Sequence, residues 1–225
     1  MPHPLDRPVW STLTTRQSGL AQGDARALRI DPRYGPFAAA ADSSPESLAA
    51  LAALIPPDGV VWIVEAEETP TPPGVTALRQ ASLHQMSAAA LTPAPSPAFE
   101  ITPLTEADAL EMRALATLTE PGPFLERTHR LGDFIGVKLE GRLIAMAGER
   151  MRPEGFTEVS GVCTHPGHRG QGYAGGLMRT VAGRILVRGE TPFLHAYASN
   201  TGAISLYQSL GFTLRRPVTM TVLGR

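Results

Sequence analysis

The sequence predicts a mixed α/β fold, a mostly antiparallel sheet flanked by helices and preceded by a smaller α/β N-terminal domain. Three observations carry that expectation. Residues 134–139 and 143–149 are two apolar strand-like runs joined by the tight Glu140-Gly141 turn, the pattern of a β-hairpin. Residues 157–164 read as a strand that enters a glycine-dense turn and then a helix, with another strand at 193–197; that order is a crossover unit. Finally, Thr92-Pro93-Ala94-Pro95-Ser96-Pro97 alternates prolines, which remove backbone donors and favour an extended connector. Residues 1–97 and 98–225 are therefore expected to be two domains.

Before the connector, residues 44–54 read as a helix with Ser43 or Ser44 as cap, Pro45 in the first turn and Leu48, Leu51 and Leu54 apolar. A strand at 60–64 follows, bounded by Pro56-Pro57-Asp58-Gly59. Glu65, Glu67 and Glu68 read as its solvated end, and this half shows no chemical constellation. After the connector, Ile101 closes a short strand. Thr105 and Asp108 form a capping box for a helix carrying Leu110, Leu115 and Leu118, which Pro121-Gly122-Pro123 ends. Residues 124–130 read as a second, shorter helix. Past the glycine turn, Leu177, Val181 and Ile185 recur at i, i+4, i+8 on one helix face. A last helix spans about 200–210, Gly211 supplies a left-handed stop, and 212–214 and 218–222 read as closing strands.

The 225 residues, 43% hydrophobic, suffice for a sizeable core. With 20 basic and 21 acidic residues and a net charge of −1, the chain has no cationic excess to hold a nucleic acid or an anionic membrane surface. Cys163 is the single cysteine, which excludes an intrachain disulfide and fits a reducing cytoplasm. No apolar run approaches the roughly 20 residues of a membrane span, and the proline-rich start lacks the apolar core of a signal peptide. A cytoplasmic protein is expected.

Chemistry concentrates at residues 163–176, Cys-Thr-His-Pro-Gly-His-Arg-Gly-Gln-Gly-Tyr-Ala-Gly-Gly. Gly170 and Gly172 let the backbone approach an anion, the helix beginning there aims unsatisfied N–H groups at it, and Arg169 adds a fixed charge; the segment suits a pyrophosphate. An ordinary strand-to-helix connection is the bland alternative. A P-loop is excluded because no Gly-Lys-Ser/Thr follows, and Gly170, Gly172 and Gly175 do not make a dinucleotide fingerprint. His165 and His168 lack acidic or thiol partners, so no metal site is expected. Strand alternation places Glu158, Ser160, Val162 and Thr164 on one face and Cys163 on the other. Tyr207 in the last helix could pack in the core, and Asn200 could be an N-cap and nothing more.

Arg169, Gly172 and Ala174 stand in the spacing R-x-x-G-x-A, and Asn200-x-x-Ala203-x-x-x-Tyr207-x-x-x-Gly211-Phe212 follows in the last helix. Together these resemble the GNAT superfamily of N-acetyltransferases over about residues 99–225. The resemblance implies a GNAT-type sheet and assigns Arg169, Gly170, Gln171, Gly172, Tyr173 and Ala174 to the pyrophosphate of acetyl-CoA. It places Val162, Cys163 and Thr164 along the pantetheine, and Asn200, Ala203 and Tyr207 at the thioester end. Tyr207 would protonate the leaving thiolate, and Glu158, placed like the base of the histone-acetylating branch, would deprotonate the amine, with Glu149 or a water relay as the other candidates. A covalent role for Cys163 is disfavoured. The N-terminal half resembles, by layout alone, the degenerate half-domain of the glycine N-acyltransferase-like branch. The implied activity is acetyl transfer from acetyl-CoA to a primary amine by direct attack; the other readings are a catalytically silent acyl-CoA sensor and a nucleotide-using enzyme. Acetyl-CoA and an unidentified amine are the expected partners, without nucleic acid or membrane, and homodimerisation is left open.

Overall fold

The computed structural model describes residues 3–225. Eleven strands and five helices alternate along the chain: α1 (Pro8–Thr14), β1 (Ala21–Gly23), β2 (Ala27–Ile30), β3 (Ala38–Ala40), α2 (Pro45–Ala53), β4 (Val60–Glu65), β5 (Thr76–Ser87), β6 (Thr102–Leu104), α3 (Ala109–Thr119), β7 (Phe134–Leu139), β8 (Arg142–Glu149), β9 (Phe156–Thr164), α4 (Tyr173–Val187), β10 (Thr191–Tyr197), α5 (Thr201–Leu210) and β11 (Thr213–Gly224). The large sheet has eight strands in the order β4-β11-β5-β10-β9-β8-β7-β6, and β1-β2-β3 form a small second one. Every pairing in the large sheet is antiparallel except β9 with β10. This is the mixed, mostly antiparallel sheet flanked by helices that the sequence predicts. No helix among the described residues is long and apolar enough to cross a membrane.

Local signals explain several elements. Ser44 Oγ accepts from Ser47 N at 3.3 Å ahead of Pro45, so α2 starts where a Ser-Pro pair should start a helix. Thr105 and Asp108 form the reciprocal capping box, and Glu140 and Gly141 adopt φ of 49° and 79°, the paired left-handed conformation of a tight hairpin turn. In α4, Leu177, Met178, Val181, Ala182 and Ile185 are buried against the sheet, the stripe its period predicts.

Tertiary contacts override the local reading elsewhere. In α3 the buried stripe is Met112, Leu115 and Ala116, whereas Leu110 and Leu118 face solvent. Residues 124–130 form no α-helix, only a 3-10 turn at Thr128–Arg130. There Thr128 Oγ1 accepts from Leu125 N and donates to Tyr34 O, both at 2.7 Å, which ties the loop to the N-terminal segment. The two expected closing strands are one strand, β11, with an irregularity between Leu214 and Arg216. Glu65 is not a solvated strand end: it is buried and accepts from Arg7 Nε at 3.0 Å. Neither α1 nor β5 is expected from the sequence, and β5 is the element with the widest consequence.

β5 precedes the proline connector, yet it pairs with β11 on one side and with β10 on the other. β4 pairs with β11, and an isolated parallel bridge links Phe37, just before β3, to Trp62 of β4. The connector at 92–97 therefore does not separate two sheets. It lies against the end of α5 and along α4: Thr92 N donates to Leu210 O at 3.0 Å, Arg179 donates to Thr92 O, and a Cβ at Gly176 would stand 3.2 Å from Pro97 Cγ.

Candidate active site

β9 and β10 run parallel for only three pairs, Thr191↔Phe156, Pro192↔Thr157 and Phe193↔Glu158. Beyond them the strands diverge, and the edge of β9 from 160 to 164 is left open toward the gap. A bulge accentuates the opening. Cys163 pairs with Met146 but Ser160 pairs with Gly148, so β9 carries one extra residue at Gly161, whose φ is 62°. The bulge also corrects the expected alternation. Cys163 shares the face of Glu158 and packs with Met112, Phe134 and Met146, while Val162 turns to the opposite core.

Three spaces meet at this gap. A cleft of about 640 Å³ lies between the loop before α4, the start of α5 and the end of α3. A cavity of about 180 Å³ lies behind it under Phe37, Leu83 and Met220, and a groove of about 710 Å³ opens outward past Trp62, Tyr197 and Phe124. Val162, Asn200 and Tyr207 line both the cleft and the cavity.

The main chain of the cleft has the features that suit an anion. Gly170 and Gly172 have φ of 79° and 78°, and a Cβ at either would meet nothing within 4 Å, so both face open space. The backbone N–H groups from residue 170 to residue 175 donate to no acceptor among the described residues. They crown the N-terminus of the 15-residue α4, where the helix dipole is positive. Arg169 is exposed there and makes no ion pair among the described residues. Gln171 accepts from the Tyr173 hydroxyl at 3.0 Å, which fixes the Tyr173 ring at the mouth, and Ala174 completes the wall. Thr164 and Cys163 line the same cleft along the open strand edge.

At the inner end stands Tyr207. Its hydroxyl has no hydrogen-bond partner among the described residues, and burial pushes the phenol pKa above its ordinary value, so it holds its proton at neutral pH. Asn200 Oδ1 caps α5, accepting from Ala203 N at 3.2 Å. Its capping role and its place between cleft and cavity coexist. Cys163 is 7% exposed, and burial pushes its thiol up to about 11, which leaves it protonated and poorly nucleophilic.

The two expected bases are elsewhere. Glu158 is fully buried beneath the cavity and does not line it. Its carboxylate accepts from Arg150 Nε and Nη2, both at 2.8 Å, and from His195 Nδ1 at 2.8 Å. Burial alone would raise its pKa, but Arg150 and His195 outweigh burial and hold the carboxyl well below the usual range. A carboxylate so held is a weak proton acceptor. The His195 ring meets Gln85 Nε2 on its other side at 3.0 Å, and Arg215 fixes the Gln85 amide by donating to its Oε1 at 2.8 Å. Glu149, the other candidate, lies on the opposite face, held by Arg188 at 2.7 Å and Arg152 at 3.3 Å, and borders neither space.

The carboxylate that does border the gap is Glu120, which sequence reading missed. It is the single acid lining the cleft, the cavity and the groove among the described residues. It caps α3 in the left-handed conformation, φ 48° and ψ 55°, just before Pro121-Gly122-Pro123. Its one signal in the sequence is that position between a helix end and a proline turn. Trp62, Leu83 and Tyr197 had no local signal at all. Histidines 165 and 168 lie near each other in the loop, their ring centres 5.6 Å apart and tilted at 58°, and no group of three His, Cys, Asp or Glu side chains converges among the described residues.

Comparison with known proteins places this geometry. The FR47-like protein family matches residues 135–221. A crystal structure of a protein assigned to the GNAT-family acetyltransferases, from Novosphingobium aromaticivorans DSM 12444, is 50% identical over 99% of both chains, with a TM-score of 0.90. A GCN5-related N-acetyltransferase from Kribbella flavida shares the fold at 18% identity, covering 95% of this chain and 93% of its own, with a TM-score of 0.64. A GCN5-related N-acetyltransferase-like protein from Streptococcus suis 89/1591 does so at 15% identity over 98% and 92%, with a TM-score of 0.58. None of the curated proteins matches the sequence.

Proposed function

The chain belongs to the GNAT family, and from that premise we propose that it transfers an acetyl group from acetyl-CoA to a primary amine by direct attack, without an acyl-enzyme. The observation that carries this reading is the run of unpartnered N–H groups at 170–175 leading to the unpartnered phenol of Tyr207 at the strand gap. Arg169 and the 170–174 backbone are the pyrophosphate site: amides and guanidinium both match a dianion, and glycine at 170 and 172 keeps the approach clear. The open edge at 162–164 offers main-chain groups to the pantetheine amides as an added strand would, and Asn200 and Ala203 flank the acyl end.

Bound acetyl-CoA supplies the thioester acetyl group; the residues supply position and protons. Tyr207 gives its phenolic proton to the sulfur as the C–S bond breaks and the C–N bond forms, and regains the surplus proton of the new amide nitrogen. Holding the amine against the acyl carbon in the cavity supplies much of the rate. Glu158 we read as a positioning residue, which anchors Arg150 and His195 in the cavity floor. Residues 1–97 we read as the degenerate partner half of the glycine N-acyltransferase-like layout, here contributing Phe37, Trp62 and Leu83 to the acceptor side.

Calorimetric titration with acetyl-CoA tests the reading, run beside Gly172→Glu. Glutamate at φ 78° is strained and puts negative charge into the cradle, so affinity is expected to fall at least about a hundredfold, the equivalent of roughly 2.7 kcal/mol. A folded parent that does not bind acetyl-CoA would sink the reading.

A further inference from the structure

The proposed reaction still lacks a group to receive the proton of the incoming ammonium, because Glu158 and Glu149 are both locked in ion pairs away from the gap. We propose that Glu120 is that group, and that the acceptor is an amine carried on a flat apolar body that lies between Trp62 and Tyr197. This rests on the acetyl-transfer reading above and adds to it the acceptor class and the proton acceptor.

Four observations converge. Glu120 is the one acid common to cleft, cavity and groove, so a nitrogen arriving from the groove and reaching toward Tyr207 passes it. The cations lining these spaces do not neutralise it: Arg150 is paired with Glu158, Arg79 lies over the Tyr197 ring at 5.1 Å, and Arg169 stands at the phosphate end of the cleft. Glu120 makes no hydrogen bond or ion pair through its side chain among the described residues. Lastly, it is held left-handed, a conformation that an L side chain other than asparagine or aspartate seldom adopts, and that glycine would adopt without strain. The left-handed backbone serves as the stop of α3, and it also holds the carboxylate facing solvent at the junction of the three spaces.

The walls define the rest of the acceptor. Trp62, Tyr197 and Phe124 line the groove, and Phe37, Leu83 and Met220 line the cavity beyond. Arg150 lies over the Phe37 ring at 4.7 Å and Arg79 over the Tyr197 ring at 5.1 Å, so the aromatic walls carry guanidinium groups on one face and Glu120 is the one anionic group among the described residues that line them. A cationic head met by Glu120 and a flat body between the rings matches this layout. In the step, the N–H bond of the ammonium breaks, its proton goes to a Glu120 carboxylate oxygen and on to water, and the freed lone pair of nitrogen attacks the acyl carbon. Tyr207 then protonates the departing sulfur.

The test uses the full chain and 2-phenylethylamine as probe, with glycinamide as an amine that lacks the flat body, in the parent, Glu120→Gln and Glu120→Gly. Calorimetry without acetyl-CoA should show the parent binding 2-phenylethylamine, and both variants binding it at least about tenfold more weakly, the scale of a lost charge-assisted hydrogen bond. Thiol release from acetyl-CoA should be at least about tenfold faster with 2-phenylethylamine than with glycinamide, and about a hundredfold slower in both variants. Formate should restore part of the activity of Glu120→Gly, and that variant's Tm should not fall, because glycine fits φ 48°. The proposal is overturned if the parent does not bind the probe, if the variants bind and turn it over as the parent does, or if glycinamide is the better acceptor. Failure to bind acetyl-CoA would remove the acetyl-transfer reading, while the amine titration would still report on Glu120 by itself.

Discussion

The cleft and the cavity on either side of Tyr207 are built by opposite means. The cleft takes its chemistry from the main chain: bare N–H groups, two left-handed glycines and an open strand edge, all within 162–175 and the first turns of α5. The cavity takes its chemistry from side chains delivered by segments scattered along the chain, among them Phe37, Trp62, Leu83, Glu120, Arg150, Tyr197 and Met220. A ligand shared by many proteins can be held by backbone, which any sequence presents. A ligand particular to one protein has to be met by side chains, and those are drawn from wherever the sheet brings them.

This contrast can be broken by moving charges on the cavity side. Glu158→Gln removes one half of a buried ion pair and leaves Arg150 uncompensated, so stability is expected to drop by about 3 kcal/mol in urea denaturation, with little change in acetyl-CoA affinity of the folded fraction. The pH dependence follows from the depressed carboxyl of Glu158. Its contribution is whole above the ordinary value of about 4.3 and is lost as pH falls below it. The parent should lose stability more steeply than Glu158→Gln on acidification below that point; parallel curves would show that the pair is not the cause.

At the seam between the two spaces, Tyr207→Phe keeps the ring and deletes the proton, so kcat should fall about a hundredfold while acetyl-CoA affinity holds, read by stopped-flow and calorimetry. An unchanged kcat would remove its role. On the cleft side, Arg169→Ala should weaken acetyl-CoA binding only about tenfold, because the main chain still cradles the anion, and the loss should shrink at high salt. Smallest of all, Cys163→Ser should leave turnover within about twofold, and iodoacetamide should label the parent slowly at pH 8, since its thiol titrates near 11.

The same contrast explains what the sequence discloses. R-x-x-G-x-A and the Asn-Ala-Tyr pattern each fall within one short segment, so the glycine turn, the Asn200 cap and the place of Tyr207 in the last helix were legible from the sequence. The role of Glu158 was not. One added residue at Gly161 reverses the alternation beyond it, and the partners of Glu158 at 150 and 195 become neighbours only through the sheet. β5 escaped notice because its first half, Thr-Ala-Leu-Arg-Gln-Ala, is exposed and lacks the apolar alternation of a half-buried strand. Glu120 escaped because nothing in a helix end reports the cavities around it.

The placement of β5 also sets the order in which the chain can be assembled. β4 and β5 leave the ribosome well over a hundred residues before their shared neighbour β11. β4 has no ladder partner, and β5 only β10, until residues 213–224 arrive to fill the seat between them. Such distant pairing favours slow folding and exposure to chaperones or aggregation during that wait. Loss of even the final dozen residues is then a lesion of the N-terminus as much as of the C-terminus.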